Sequence, residues 1–330
     1  MPSRVGIPPD LYSRHARSRE GRDWLAALPA LISAALLRWH LSVDLPAGGQ
    51  PWNGHTGIVI PVLTSSGGPA ALKIAFPFEE ALLEPVALRL WNGHGMVQIL
   101  EYDTDSCSMV IERLDAHKSL QAVPLDEAEQ VWGSLVRRLS IAPDVRDGWA
   151  QIPHIAATAE QFSDELPARW EDLNRPFPRW LLEAALEVCQ TRGAVSRRRA
   201  QDVLVHTDLH YLNILAALDG TGYLAIDPQA QIGDAEFAVA PCLWNRLGDL
   251  PALNAEAGLR RRARNLCAAA GLDESIAAEW AVVREVENSL RYLETPGHLG
   301  DAQRSLWVAS TMAGRTMPGL PTARDLKILG

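Results

Sequence analysis

Val203 to Asp227 reads VLVHTDLHYLNILAALDGTGYLAID, and three oxygen-bearing side chains within it, Asp208, Asn213 and Asp227, stand at short fixed separations. The apolar run Val203, Leu204, Val205 leads into a polar turn, and two further apolar runs, Ile214 to Ala217 and Tyr223 to Ile226, flank the Asp219-Gly220-Thr221-Gly222 turn. Short apolar runs around a Gly-rich turn predict a β-hairpin. Such a hairpin holds Asn213 at its entrance and Asp227 at its exit, so two ligands 14 residues apart meet at one divalent cation, with Asp208 on the loop just before. A hard cation that keeps several waters and takes one or two protein oxygens plus phosphate oxygens needs that ligand set. Magnesium and a nucleotide are the expected companions.

Taken singly, each of these residues reads equally well as a turn or a cap. Their order is more telling. His206-x-Asp208, an Asn five residues after the Asp, and a strand-ending Asp beyond it reproduce a kinase catalytic loop and its second metal-binding Asp. His206 is then structural, packed beneath the metal-binding Asp, and His210 faces phosphate or caps the loop. Zinc is the alternative, with His206, Asp208, His210 and Asp227 as ligands in a metallohydrolase. That H-x-x-x-H spacing needs a helix to turn both imidazoles to one side, whereas Val203 to Ile214 reads as strand and loop. No Walker A sequence occurs, which removes the P-loop kinases.

Further on, AIDPQAQIGDAEFAVAPCLWN (Ala225 to Asn245) carries an Asp-Pro, a Gly-Asp, an Ala-Pro and a Leu-Trp-Asn; upstream stand LKIAFPFEEALLEPVALRLWNG (Leu72 to Gly93) and MVIERLDAHKSL (Met109 to Leu120). In these blocks the chain resembles the aminoglycoside phosphotransferases, specifically their streptomycin 6-kinase and hydroxyurea phosphotransferase type, over about residues 40 to 310. The resemblance implies an α+β, two-lobed protein-kinase-like fold with a small β-rich N-lobe and a larger, mostly helical C-lobe. It implies a helical extension over residues 1–40, a nucleotide-binding N-lobe over 41–117, and a C-lobe with catalytic loop and acceptor site over 118–330. The implied activity is ATP-dependent O-phosphorylation of a small-molecule hydroxyl, that of a streptomycin-like aminoglycoside or related antibiotic, conferring resistance.

Asp208 is then the catalytic residue, and Asn213 and Asp227 hold magnesium. Lys73, in the strand Ala70 to Ala75, reaches the non-transferred phosphates and is held by an acid of the next helix. Among Glu79, Glu80 and Glu84, the helical spacing of Glu84, Leu88 and Trp91 favours Glu84. The bland reading of Lys73 is an edge-strand lysine that blunts aggregation. Glu112 and Leu114 bracket the segment whose main chain would meet the nucleotide base, and because main chain makes that contact GTP stays open beside ATP.

Two departures stand out. A phosphate-gripping loop needs small residues so that backbone N–H groups can approach, yet Asn53-Gly54-His55-Thr56-Gly57 has glycines at the wrong spacing, leaving the grip to Lys73, Thr56 and the metal. Ala238 stands where the family carries an Asp that buttresses the catalytic loop, a task that could pass to Glu236. These two features suggest a second alternative, a nucleotide-binding pseudokinase or regulatory protein. For a cationic acceptor the acids after the catalytic block, Asp234 and Glu236 foremost, are the candidate contacts; Glu285 and Glu287, two apart, cannot share one helix face.

Composition bounds the rest. With 330 residues, 47% of them apolar and 22% charged, the chain can bury a full core. The net charge of −9 argues against a nucleic-acid surface and suits attraction of a cation. The apolar run Leu25 to Leu37 is too short to span a bilayer and lacks a signal-peptide start, so no membrane partner is expected. Within it Pro29 predicts the first residue of a helix. The four cysteines are far apart and show neither zinc nor disulfide spacing, which suits a reducing cytoplasm. Leu125 to Leu139 has the apolar period of a core helix, Arg192 to Arg199 reads as a solvated basic connector, and the oligomeric state stays open between monomer and homodimer.

Overall fold

A computed structural model describes residues 5–46, 48–193 and 201–327. Their contacts divide into two units, Met1–Ala116 with Ala216–Gly222, and His117–Leu215 with Tyr223–Gly330. The basic connector beyond Gly193 lies outside the described residues.

In the first unit, helix α1 (Pro9–His15) begins with a proline, whose missing N–H costs nothing at a first turn. Helix α2 (Arg19–Arg38) is capped by Ser18, whose hydroxyl accepts the Gly21 N–H at 2.9 Å. Pro29 does not open a helix as its sequence context predicts; α2 runs through it. The cap and the buried stripe of Trp24, Leu25, Leu28 and Ile32 hold the helix on both sides of the hydrogen bond the proline removes.

Strands β1 (Ser42–Val43), β2 (Trp52–Asn53), β3 (Gly57–Leu63) and β4 (Pro69–Ala75), helix α3 (Glu79–Trp91), and strands β5 (Ile99–Asp103) and β6 (Ser108–Glu112) follow. The strands form one antiparallel sheet in the order β1-β3-β4-β6-β5, with β2 also paired to β3. Lys73 pairs with Val59 on one side and Met109 on the other, so it stands on an interior strand and is no edge lysine. Gly57 has a packing reason: a Cβ there would sit 2.7 Å from the Ile74 carbonyl oxygen of β4. Leu11, Trp24, Leu28 and Ile32 share one buried core with Ile58, Ile60, Leu72 and Ile74, so the N-terminal helices and the sheet fold together.

The chain enters the second unit within β7 (Leu114–Ser119). Helix α4 (Leu125–Leu139) is the predicted core helix and buries Ala128, Trp132, Leu135, Val136 and Leu139. After α5 (Ile155–Asp172) and α6 (Arg179–Arg192) come β8 (Val203–His206), β9 (Ile214–Ala217), β10 (Tyr223–Ala225) and β11 (Ala230–Gly233), then α7 (Ala240–Trp244), α8 (Ala255–Ala270), α9 (Glu274–Glu294) and α10 (Leu299–Met312). Helix α9 is central: it is capped by Asp273, buries Trp280, Val283, Val286 and Leu290, and packs against α10, α6, α5 and α8. No described helix is long and apolar enough to cross a membrane, and all four cysteines are buried thiols.

Candidate active site

The residues singled out from the sequence fall into two groups, one in each unit. In the first unit, β4 and α3 bring Lys73 and Glu84 together, with Nζ 2.6 and 2.7 Å from the two carboxylate oxygens and only 7% and 6% of the residues exposed. Glu79 and Glu80 lie on the exposed start of α3, whereas Glu84 faces inward with Leu88 and Trp91. An ion pair this buried is poor ballast for stability but a good holder of charge, because each group compensates the other's charge in a place largely closed to water.

Thr56 lies on the turn between β2 and β3, where its carbonyl accepts the Phe76 N–H at 2.8 Å and Gly54 N–H reaches Gly57 oxygen at 3.1 Å. Neither Gly54 nor Gly57 has a left-handed backbone, so the turn uses no glycine conformation. At the end of β6, Glu112 N–H donates to Gln98 oxygen at 2.8 Å and its carboxylate accepts the Gln98 N–H at 3.2 Å, while Leu114 is buried. That N–H is therefore spent inside the sheet.

In the second unit the stretches Val203 to Leu215 and Tyr223 to Gly233 fold around His206. β8 pairs with β11, His206 opposite Ala230, and the loop leaves the ribbon with Thr207 N–H and hydroxyl both bonded to Gln229 oxygen at 2.8 and 3.0 Å. His206 Nδ1 accepts the Asp208 N–H at 3.2 Å, so its proton is on Nε2, which donates to Ile226 oxygen at 3.0 Å. One neutral ring thus ties the backbone of Asp208 to the residue before Asp227. Burial pulls the imidazole down to about 4, against the Asp208 and Asp227 carboxylates that pull it up. With both nitrogens committed to backbone, His206 is not available as a zinc ligand; among the described residues no three His, Cys, Asp or Glu side chains converge as a metal site.

Asn213 closes the loop. Its Nδ2 donates to Asp208 oxygen at 2.9 Å, with Asp208 Oδ2 at 3.5 Å, and its backbone oxygen accepts the Ile226 N–H at 2.9 Å across the base of the β9–β10 hairpin. With the amide nitrogen used, the oxygen is the end that can serve a cation. Asp227 has φ +54 and is followed by Pro228. A left-handed Asp costs roughly 1 kcal/mol, the sort of local strain that marks a functional position.

Three successive carbonyls of the loop each have side-chain donors. Thr207 oxygen takes Arg284 Nη1; Asp208 oxygen takes Asn213; Leu209 oxygen takes Trp132 Nε1 at 2.9 Å and Cys242 Sγ at 3.4 Å. Arg284 also reaches Phe237 oxygen at 3.3 Å and lies 4.7 Å over the Phe237 ring. Burial lowers its pKa, opposed first by Asp208 and then by Glu285. Glu236 does not take over the buttressing role that Ala238 leaves vacant. Its Oε1 accepts the Asp273 N–H at 3.1 Å, at the start of α9, while the donor to the loop comes from Arg284. Asp234 likewise accepts the Trp280 indole N–H at 2.9 Å. Both acids therefore anchor α9, each through one carboxylate oxygen. Glu285 is fully buried and Glu287 pairs with Arg169 and Arg291, on different faces as their spacing requires. His210 stands with Nε2 3.7 Å from Asp208 Oδ2 and its ring edge-on to Trp244. Arg284 escaped the sequence reading because an Arg inside a helical stretch carries no local signal.

Comparison with known proteins identifies the family and the fold. Residues 38–295 match the family model for aminoglycoside/hydroxyurea antibiotic resistance kinases. The chain is 37% identical over 295 residues to the streptomycin 6-kinase of Streptomyces glaucescens, covering 88% of this chain and 92% of that protein. It is 34% identical over 321 residues to the hydroxyurea phosphotransferase of Kitasatospora aureofaciens, covering 94% and 87%. In fold it is similar to the crystal structure of a thermostable aminoglycoside phosphotransferase mutant in ternary complex with AMP-PNP and hygromycin B, with TM-score 0.57 at 14% identity over 86% of this chain and 96% of that one. A Plasmodium vivax ethanolamine kinase has TM-score 0.51 at 13% identity, over 83% of each chain. The fold is protein-kinase-like, and the chain belongs to the aminoglycoside/hydroxyurea antibiotic resistance kinase family.

Proposed function

We propose that this family member transfers the γ-phosphoryl group of ATP to a hydroxyl of a small cationic antibiotic of the streptomycin type, in the cytoplasm. The observation that carries this is the His206 ring, which holds Asp208 and the residue before Asp227 by one hydrogen bond each. Two carboxylates needed for one reaction are thereby fixed from a single neutral side chain. Asp208, part-exposed at the loop, takes the proton of the acceptor hydroxyl or orients it as its oxygen attacks phosphorus. Arg284, Asn213, Trp132 and Cys242 hold the loop so that little reorganisation is needed at reaction.

Asn213 and Asp227 suit magnesium: both offer hard oxygen, and the amide nitrogen of Asn213 is already used, which leaves its oxygen as the end to serve a cation. Magnesium supplies charge neutralisation on the phosphates when bound. Lys73, pinned by Glu84, neutralises the non-transferred phosphates; Thr56 and the turn around it meet phosphate; main chain between Glu112 and Leu114 meets adenine. For Asp234 and Glu236 an acceptor contact falls to the carboxylate oxygen each does not give to α9. The streptomycin 6-kinase and hydroxyurea phosphotransferase relatives set the first acceptors to try.

The test is acceptor-dependent ADP release with mass spectrometry of the product, using streptomycin, hydroxyurea and a panel of aminoglycosides. A singly phosphorylated acceptor is expected. Asp208→Asn should cut turnover about 10²- to 10⁴-fold while ATP affinity stays near wild type. Tight ATP binding without product from any acceptor would favour the pseudokinase alternative, and normal turnover in Asp208→Asn would overturn the assignment.

A further inference from the structure

The turn between β2 and β3 lacks the glycine pattern of a phosphate-gripping loop, yet it is tied down from outside. Arg14, on α1, donates from Nη1 to His55 oxygen at 2.6 Å and to Gly54 oxygen at 3.2 Å. One helical turn earlier, Asp10 accepts from Asn53 Nδ2 at 2.7 Å and stands 3.8 Å from Arg14 Nη2. Helix α1 is itself immobilised independently of the turn: Leu11 is fully buried in the sheet core, and the His15 ring packs at 4.9 Å from Trp24 and 5.0 Å from Phe76. The far side of the turn is held by the Phe76 N–H on Thr56 oxygen.

The direction of these bonds matters. In a trans peptide the carbonyl of one residue and the N–H of the next point to opposite sides, and the chain has no cis peptide among the described residues. Drawing the Gly54 and His55 carbonyls to Arg14 therefore turns the N–H groups of His55 and Thr56 away from α1. Backbone N–H groups presented together are what an anionic phosphate chain binds. We propose that α1 is a positioning element of the nucleotide site, in which Arg14, supported by Asp10, holds the 53–57 turn so that the backbone N–H groups at 55 and 56 face the phosphates of a nucleoside triphosphate. A fixed clamp thereby replaces the freedom that glycines give elsewhere. Arg14 is a positioning residue and touches no phosphate itself. This inference rests on the kinase assignment above.

The test compares binding of magnesium-ATP and of adenosine to the full chain by calorimetry, because only the phosphates should sense the turn. Arg14→Ala is expected to weaken ATP about tenfold, the size of one lost charge-assisted hydrogen bond, and to leave adenosine unchanged. Arg14→Lys, which keeps the charge and reaches one carbonyl, should recover part of the loss. Should Arg14→Ala not fold, Asn53→Ala, which frees the turn from Asp10 alone, should still weaken ATP about threefold with adenosine constant. Parallel weakening of ATP and adenosine would show a merely structural role and overturn the proposal, as would unchanged ATP affinity in Arg14→Ala. A wild-type protein that binds no ATP would instead remove the kinase assignment, and this proposal with it.

Discussion

Replacing Arg284 by Met keeps the aliphatic stem over Phe237 and removes the guanidinium that serves Thr207 and Phe237 oxygens. A hydrogen bond from a charged donor contributes about 1.5–3 kcal/mol, and the carbonyls left behind lose their partner in a mostly buried place. The second bond, at 3.3 Å, is the weaker, so the total should be about 3 kcal/mol. For a unit of this size each kcal/mol moves the melting temperature by roughly 2–4 °C, giving a drop of about 6–12 °C. The effect on turnover is larger in proportion. Thr207 precedes Asp208, and a displacement of about 1 Å at a reacting group costs on the order of 10²-fold. The assay is kcat at saturating ATP and acceptor at a temperature where circular dichroism shows the variant folded, with nucleotide affinity measured alongside. We expect kcat about 10²-fold lower with ATP affinity within about twofold of wild type, and Arg284→Lys in between. A folded Arg284→Met protein with wild-type kcat would refute the buttressing role.

Asp227→Gly should raise the melting temperature of the nucleotide-free protein slightly, since relief of the left-handed strain is worth up to about 1 kcal/mol, while abolishing magnesium-dependent nucleotide binding; calorimetry with and without magnesium checks both. Glu84→Gln should destabilise by about 3 kcal/mol in urea denaturation by removing the carboxylate charge that compensates the buried Lys73 ammonium, and Lys73→Met with Glu84→Leu should restore most of that stability without restoring ATP affinity. Glu285 has its pKa pushed up from 4.5 to about 7 by burial, so the folded state binds the extra proton between those values and stability from this group is present below 4.5 and lost as pH rises through about 7. Glu285→Gln should therefore gain on wild type by about 3 kcal/mol between pH 4.5 and 8 in denaturant titrations. His206 acts with opposite sign: its folded pKa of about 4 lies below 6.5, so stability falls as pH drops from 6.5 to 4, and Glu285→Gln should make that acid-side loss steeper than in wild type.

Much of the site was legible because it is encoded at short range. The 14-residue span from Asn213 to Asp227 is one hairpin, and a hairpin brings its ends together whatever surrounds it. The Glu84 choice followed from a helical period that sets one face inward, and α4 from the same rule. The kinase-like fold class came from the resemblance of the sequence blocks to the aminoglycoside phosphotransferases. Pro29 was misplaced because a proline's local preference for a helix start was outweighed by Ser18 and by the buried stripe on either side.

What the sequence by itself determined is thus two local groupings set by turn chemistry and periodicity: Asp208, Asn213 and Asp227 along one loop and hairpin, and separately Lys73 with its helix acid. What only the tertiary structure decided is which distant donors hold them. Arg284 meets Thr207 from 77 residues away, Trp132 meets Leu209 from the same separation, and Arg14 meets His55 across 41. A strand or helix announces itself through repeated spacing within its own length, because its hydrogen bonds and its buried face recur at fixed intervals. A single side chain that crosses from one element to another has no interval to repeat, and its partner is selected by how whole elements pack.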